Sequence, residues 1–226
     1  MLIDSKNAII EALKKNIVKK LIIKEGVKCG DFLKYNNVAI EMLSHLDFKK
    51  KYKYYQSGIL ADLDYQYAEF NKLLNKEKNF IILDHLQDPY NFGSLLRAAH
   101  QFNFNNIIIA KNNQVEVTNT VVRTSVGAIF HMNICSVVNL SRIVEILKAN
   151  NYFVYATDIN SNKNIESIEF NYKFAILLGS EGFGVRKNLL KKADESFKIN
   201  TFGSIDSLNV SQSAAIIFYE LSKLIK

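Results

Sequence analysis

Three stretches of this chain combine residue types able to do chemistry with a spacing able to bring them together. The first, LDHLQDPYNFGSLLRAA at 83–99, places Asn91 and Arg97, an amide and a guanidinium, on one predicted helix over 91–102. The chain carries only four arginines, Arg97, Arg123, Arg142 and Arg186, against 25 lysines. An arginine kept in so lysine-rich a sequence points to a planar, bidentate contact that lysine does not make. Leu95, Leu96, Ala98 and Ala99 flank Arg97, so its helix face reads as largely apolar and its charge calls for an anionic partner. The plainer alternative is a strand-to-helix connection capped by Asp88 or Asn91.

The second stretch, AILLGSEGFGV at 175–185, runs an apolar strand into a loop of three glycines, Gly179, Gly182 and Gly184, with a lone carboxylate, Glu181. Glycines there would let a ligand approach the backbone closely; a plain turn is the other reading. The order is GxxGxG, not GxGxxG, and Val185 follows the last glycine where a P-loop needs Lys-Ser/Thr. Nicotinamide and nucleoside triphosphate binding therefore lack support. The third stretch, FKINTFGSIDSLNVSQSAAIIFYE at 197–220, sets Asn209 three residues before Gln212, a capping arrangement for the last helix. Of the four histidines, His45, His85, His100 and His131, only His85 touches these stretches, so no histidine-centred site is expected. Cys29 and Cys135 lack metal-ligand spacing, which predicts no metal and a reduced, cytoplasmic setting.

The elements that must position these residues follow from periodicity. Residues 4–16 read as a helix with Ala8, Ile9, Ala12 and Leu13 on one face, 17–24 as a strand, 30–35 as a short helix, and 37–42 and 58–63 as strands. That makes a small α/β unit, followed by a polar connection. From residue 79 strands at 79–84, 106–110, 132–137, 152–157, 174–178 and 196–199 alternate with helices at 91–102, 140–150 and 210–223. Apolar strands alternating with helices give an α/β fold with a mostly parallel sheet covered on both faces. Pro89, the sole proline, falls in the loop after the first of these strands, at the edge where open α/β sheets place ligands.

Composition agrees with an anionic partner. The net charge is +7 over 226 residues, which favours nucleic acid. The 25 lysines accompany 25 asparagines, a bias that an AT-rich coding sequence also produces. The longest apolar run, at 214–219, is too short to cross a bilayer, and the N-terminus lacks the pattern of a signal peptide.

Together the three stretches resemble the SpoU (TrmH-like) family of RNA 2′-O-ribose methyltransferases, within the knotted SPOUT class. Asp88-Pro89-Tyr90-Asn91-Phe92-Gly93-Ser94-Leu95-Leu96-Arg97 is similar to the family's first motif, Leu178-Gly179-Ser180-Glu181-Gly182-Phe183-Gly184 to its second, and Ser207-Leu208-Asn209-Val210-Ser211 to its third. Gln56-Ser57-Gly58-Ile59-Leu60-Ala61 is similar to the segment closing a small L30e-like domain in the RlmB-like branch, which methylates a guanosine of 23S rRNA. Two departures stand out: Ile199-Asn200-Thr201 replaces the usual Ile-Pro-Met, removing a rigid backbone restraint, and the histidine usual before the Gly-Ile segment is absent.

The resemblance implies an L30e-like RNA-binding domain at 1–66, a linker at 67–78 and a knotted methyltransferase domain at 79–226. Periodicity alone would give a plain doubly wound sheet, since threaded chains are nearly absent as a rule; the resemblance implies a deep C-terminal trefoil knot. It further implies S-adenosylmethionine as cofactor, RNA as substrate, a homodimer and no membrane. Arg97, Asn91, Glu181, Ser207 and Asn209 would be the catalytic group, and Gly179, Ile199, Thr201, Leu208 and Asn209 the cofactor-binding group. A tRNA guanosine, or an RNA-binding member that has lost catalysis, are the alternatives.

Overall fold

The computed structural model describes residues 1–35, 38–55, 57–180, 182–203 and 208–223. The N-terminal part runs β1 (Leu2–Ile3), α1 (Lys6–Lys14), β2 (Val18–Lys24), β3 (Ala39–Leu43), α2 (His45–Lys51) and β4 (Ile59–Leu63). Its strands form a four-stranded sheet in the order β1-β4-β2-β3, with β2 antiparallel to β4 and parallel to β3. α1 buries Ala8, Ile9, Ala12 and Leu13, the face its spacing predicts.

Two local expectations fail here. Residues 30–35 form turns rather than a helix. Only Phe32 among them is buried, too little to offset the cost of nucleating so short a helix. α2 was not expected, because Phe48 is its one buried residue and a single anchor creates no period. The signal that marks it is the Ser44 cap, whose side chain accepts from the Asp47 backbone N–H. The motif residue Gln56 lies outside the described residues.

The rest of the chain runs α3 (Phe70–Leu73), β5 (Asn79–Asp84), α4 (Pro89–Gln101), β6 (Asn106–Ala110), α5 (Asn119–Thr124), a 3-10 turn (Ala128–His131), β7 (Asn133–Val137), α6 (Leu140–Ala149), β8 (Phe153–Thr157), a second 3-10 turn (Ile165–Ser167), β9 (Phe174–Gly179), α7 (Lys187–Leu190), β10 (Glu195–Phe197) and α8 (Val210–Ser222). The six strands form one sheet in the order β10-β8-β9-β5-β6-β7, and every adjacent pair is parallel. β5 shows why both faces are covered. Ile81 and Leu83 join the core built with α4, α5 and α8, while Phe80 and Ile82 join the core under α6 and α7. β10 ends at Phe197, short of the predicted residue 199, so Ile199, Asn200 and Thr201 follow the strand instead of belonging to it.

The two sheets share buried surface. Ile3, Ala8 and Leu13 belong to the same apolar cluster as Leu95, Val121 and Ile217. Asp4 and Asn119 exchange hydrogen bonds across this junction, with Asn119 Nδ2 donating to Asp4 Oδ1 at 3.0 Å and Asp4 N–H to Asn119 Oδ1 at 3.3 Å. α4 is held against α5 at Gly93, where a Cβ would meet Thr124 Oγ1 at 1.7 Å and the Val121 carbonyl oxygen at 2.9 Å. Gly93→Ala should therefore destabilise the fold by about 1–3 kcal/mol through overpacking, although alanine is the better helix former. Urea unfolding reads this directly; an unchanged or raised midpoint would contradict the close contact.

Candidate active site at the carboxyl edge of the parallel sheet

The site begins with strand register. Asp84 at the end of β5 pairs with Gly179 at the end of β9, so the loops after the two strands leave the sheet side by side. The Asp84 side chain is fully buried. Its carboxylate accepts from the Arg186 backbone N–H at 2.9 Å and from Arg186 Nε at 2.9 Å, and it lies 2.6 Å from His85 Nδ1. A desolvated carboxylate is tolerable only with such partners. This pair ties the loop after β5 to the segment after the glycine loop.

α4 starts at Pro89, two residues before the predicted start. Asp88 is its cap, accepting from the Tyr90 N–H at 2.9 Å, and proline occupies the first turn. Asn91 then stands in that turn. Asn209 Nδ2 donates to Asn91 Oδ1 at 2.9 Å, while Asn209 Oδ1 accepts from Ser211 N–H at 2.8 Å and Ser211 Oγ at 2.7 Å. Asn209 is thus the cap of α8, as its position suggests, and the link between α8 and α4.

The glycine loop folds back on itself. Gly184 N–H donates to the Ser180 carbonyl at 2.9 Å, and Gly184 has φ +64°. A Cβ on Gly179 would lie 1.9 Å from the Gly184 carbonyl carbon and 2.1 Å from the Val185 nitrogen. The close approach read from the glycines is therefore made first by the loop's own backbone. Ile199 is half-buried against the main core, while Thr201 and Leu208 are exposed. Glu181 and Ser207 lie outside the described residues.

Arg97 departs from its sequence reading. Successive helical residues point about 100° apart, so the apolar residues beside Arg97 in sequence occupy other faces. Leu95, Leu96 and Ala99 are buried, whereas Arg97 is exposed. Among the described residues it has no hydrogen-bond or ion-pair partner. It borders a cleft of about 610 Å³ between α4, α1 and the 3-10 turn at Ala128–His131, with Asn7, Glu11, His100, Gln101 and His131 on its walls. The rings of His100 and His131 stack at 5.2 Å. His131 Nε2 lies 2.8 Å from Glu11 Oε2, and Lys14 Nζ donates to Glu11 Oε1 at 2.7 Å. Lys14 first and His131 second hold the Glu11 carboxyl below its ordinary range. The structure thus joins Asn91 to Asn209 and Asp84 to Gly179, and turns Arg97 toward a cleft.

Sequence reasoning missed Asp84, Glu11, His100 and His131, and although it set Arg186 apart as a retained arginine it gave that residue no partner. A buried aspartate closing an apolar strand was a usable signal for the first. The histidines and Glu11 gave none, because their proximity depends on how α1 docks. Among the described residues no group of three or more His, Cys, Asp or Glu is placed to hold a metal ion. Cys135 is buried, which pushes its thiol up to about 11 and leaves it unreactive. Among the described residues no helix is long and apolar enough to cross a membrane.

Comparison with known proteins agrees with this architecture. The profile of the SpoU rRNA methylase family matches residues 78–219. A Staphylococcus aureus (strain COL) protein named as a TrmH family tRNA/rRNA methyltransferase is 33% identical over 90% of this chain and 88% of its own length. A Bacillus subtilis (strain 168) protein of the same naming is 32% identical over 96% and 92%. Among solved structures, the SpoU methyltransferase AviRb from Streptomyces viridochromogenes, in complex with AdoMet, superposes with a TM-score of 0.87, covering 100% of this chain and 90% of that one at 19% identity. An RNA 2′-O ribose methyltransferase gives 0.77 over 99% and 89% at 23% identity. These last two are likenesses of fold. With the family profile spanning the parallel sheet and all three motif-bearing stretches, the chain belongs to the SpoU rRNA methylase family.

Proposed function

We propose that this protein transfers a methyl group from S-adenosylmethionine to a ribose 2′-hydroxyl of RNA, with a guanosine of 23S rRNA as the acceptor. The observation that carries this reading is the Asn91–Asn209 hydrogen bond, which joins the first and third family motifs across two helices. A tRNA acceptor is the second reading, favoured by the relatives, whose names give both tRNA and rRNA.

The residues fit the cofactor. Gly179 and its folded loop offer backbone groups at the strand edge, and Ile199 and Leu208 offer apolar surface beside Thr201 and Asn209. Those residues would hold it, and when bound it supplies a methyl group already activated on a sulfonium. What this chain must do is orient the 2′-hydroxyl and manage its proton. Arg97, exposed and without a partner among the described residues, would bind the 2′-oxygen or an adjacent phosphate and stabilise the developing negative charge. A guanidinium is poorly suited to accept a proton, so the hydroxyl proton passes to water or to the RNA. The Asn91–Asn209 link fixes the start of α4, and with it the helix that carries Arg97. Glu181 and Ser207 complete the proposed catalytic group.

The reading includes the family's trefoil knot at the C-terminal end, an L30e-like RNA-binding role for 1–66 and a connection at 67–78 before the catalytic domain at 79–226. The likeness to whole solved SpoU methyltransferases supports it. It also includes a homodimer. Phe183 at 93% and Phe202 at 97% exposure, with Tyr90, Ile216 and Tyr219 also exposed, are apolar residues that a second copy would cover. The +7 charge suits RNA, and a cytoplasmic setting follows from that substrate.

Arg97→Ala should lower kcat on RNA by about 10²–10³-fold, with cofactor affinity by calorimetry unchanged; near-normal turnover would remove Arg97 from the reaction. Asn209→Ser separates the cap from the link, because serine caps as well but cannot reach Asn91. Its melting temperature should stay at the wild-type value while methylation falls about tenfold through lost positioning. Equal loss of stability and activity would reduce Asn209 to a cap. Labelling 23S rRNA and tRNA in parallel decides the acceptor.

A further inference from the structure

Apart from Arg97, the cleft is walled by residues outside the site assembled from the motifs. Its volume of about 610 Å³ falls within the roughly 300–1,000 Å³ of small-molecule sites. Its walls come from both sheets' helices: Asn7 and Glu11 from α1, and Arg97, His100 and Gln101 from α4, with His131 from the turn before β7. The stacked imidazoles of His100 and His131, 27° from parallel, are each pinned by a hydrogen bond: His131 Nε2 to Glu11, and His100 Nδ1 to Asn105 Oδ1 at 2.8 Å. The platform is therefore fixed before anything binds. Asn7 and Gln101 are exposed, and neither amide is hydrogen-bonded to another described residue. Lys14 pairs with Glu11 and offsets its charge, so an anion can approach.

A flat aromatic surface, free amides and an unpaired guanidinium are together what an unstacked ribonucleotide requires. Bases splayed out of RNA stack on aromatic or histidine rings and are read along their edges by polar side chains. The guanidinium addresses the ribose-phosphate. Seating a base on such a platform requires unstacking it from its neighbours in the RNA. We propose that this cleft receives the acceptor nucleotide, flipped out of the RNA, with its base on the His100–His131 platform, its edge facing Asn7 and Gln101, and its ribose at Arg97. This rests on the methyl-transfer reading. It makes α1 a wall of the nucleotide pocket, so the N-terminal unit helps select the nucleotide itself rather than only gripping RNA at a distance.

Steady-state methylation of RNA by the full chain tests the proposal. Asn7→Ala and Gln101→Ala should each raise the KM for RNA about tenfold with kcat little changed, as expected for a lost base-edge contact. His100→Ala should lower kcat/KM for RNA by at least about tenfold, and His100→Phe should restore most of it, since stacking tolerates any flat ring. Unchanged cofactor affinity and melting temperature show that the variants are folded. Wild-type KM for RNA in both amide variants would overturn the cleft assignment. If the unaltered protein methylates none of the RNAs supplied, the reaction reading fails. Filter binding of total RNA then decides the cleft separately: weaker binding by the variants upholds it, and equal binding overturns it.

Discussion

Parallel pairing of β5 with β9, in register from Asn79–Phe174 to Asp84–Gly179, is the constraint on which the rest of the site depends. Both strands are buried on both faces, so each must find its ladder partners inside the sheet. Parallel neighbours require crossover helices, and these deliver the loops after both strands to one edge. The buried Asp84 carboxylate then locks that edge, because among the described residues Arg186, from beyond the glycine loop, and His85 satisfy it. Breaking this pair would leave an uncompensated charge in the sheet, so the two loops cannot separate cheaply.

α4 carries this order outward along its length. Its buried face, with Phe92, Leu95, Leu96 and Ala99, packs on the core. Asn91 in its first turn meets the start of α8, and Arg97 faces α1 across the cleft. One rigid helix therefore connects the loops proposed to hold the methyl donor with the surface proposed to hold the acceptor. Helices position such groups better than loops do. The cap of α8 serves this arrangement as well, since the Asn209 amide satisfies the helix with its oxygen and α4 with its nitrogen.

Much of this was legible in the residues. β5, β6 and β9 are continuous apolar runs of strand length, and α6 and α8 announce themselves by period and cap, so the parallel sheet follows from pattern alone. The cap of α8 at Asn209 was legible because its neighbours in sequence fix its local geometry. What escaped was non-local. Asp84 and Arg186 lie 102 positions apart, and Glu11 and His131 lie 120 apart. β1, with two residues, is too short to carry a pattern. Arg97 was read against residues adjacent in sequence, although a helix sends those to other faces. Gly179 was read as room for a ligand, whereas the chain itself fills that room.

The central claim is ribose methylation, and alkaline hydrolysis of labelled RNA tests it most directly. The protein is incubated with S-adenosylmethionine carrying a labelled methyl group and with unmodified ribosomal RNA, and the RNA is then digested with alkali. A methylated 2′-oxygen cannot attack its own phosphodiester, so that linkage survives. The account predicts label in alkali-resistant dinucleotides. Label in mononucleotides, which would mark methylation of a base, or no incorporation at all, would contradict it.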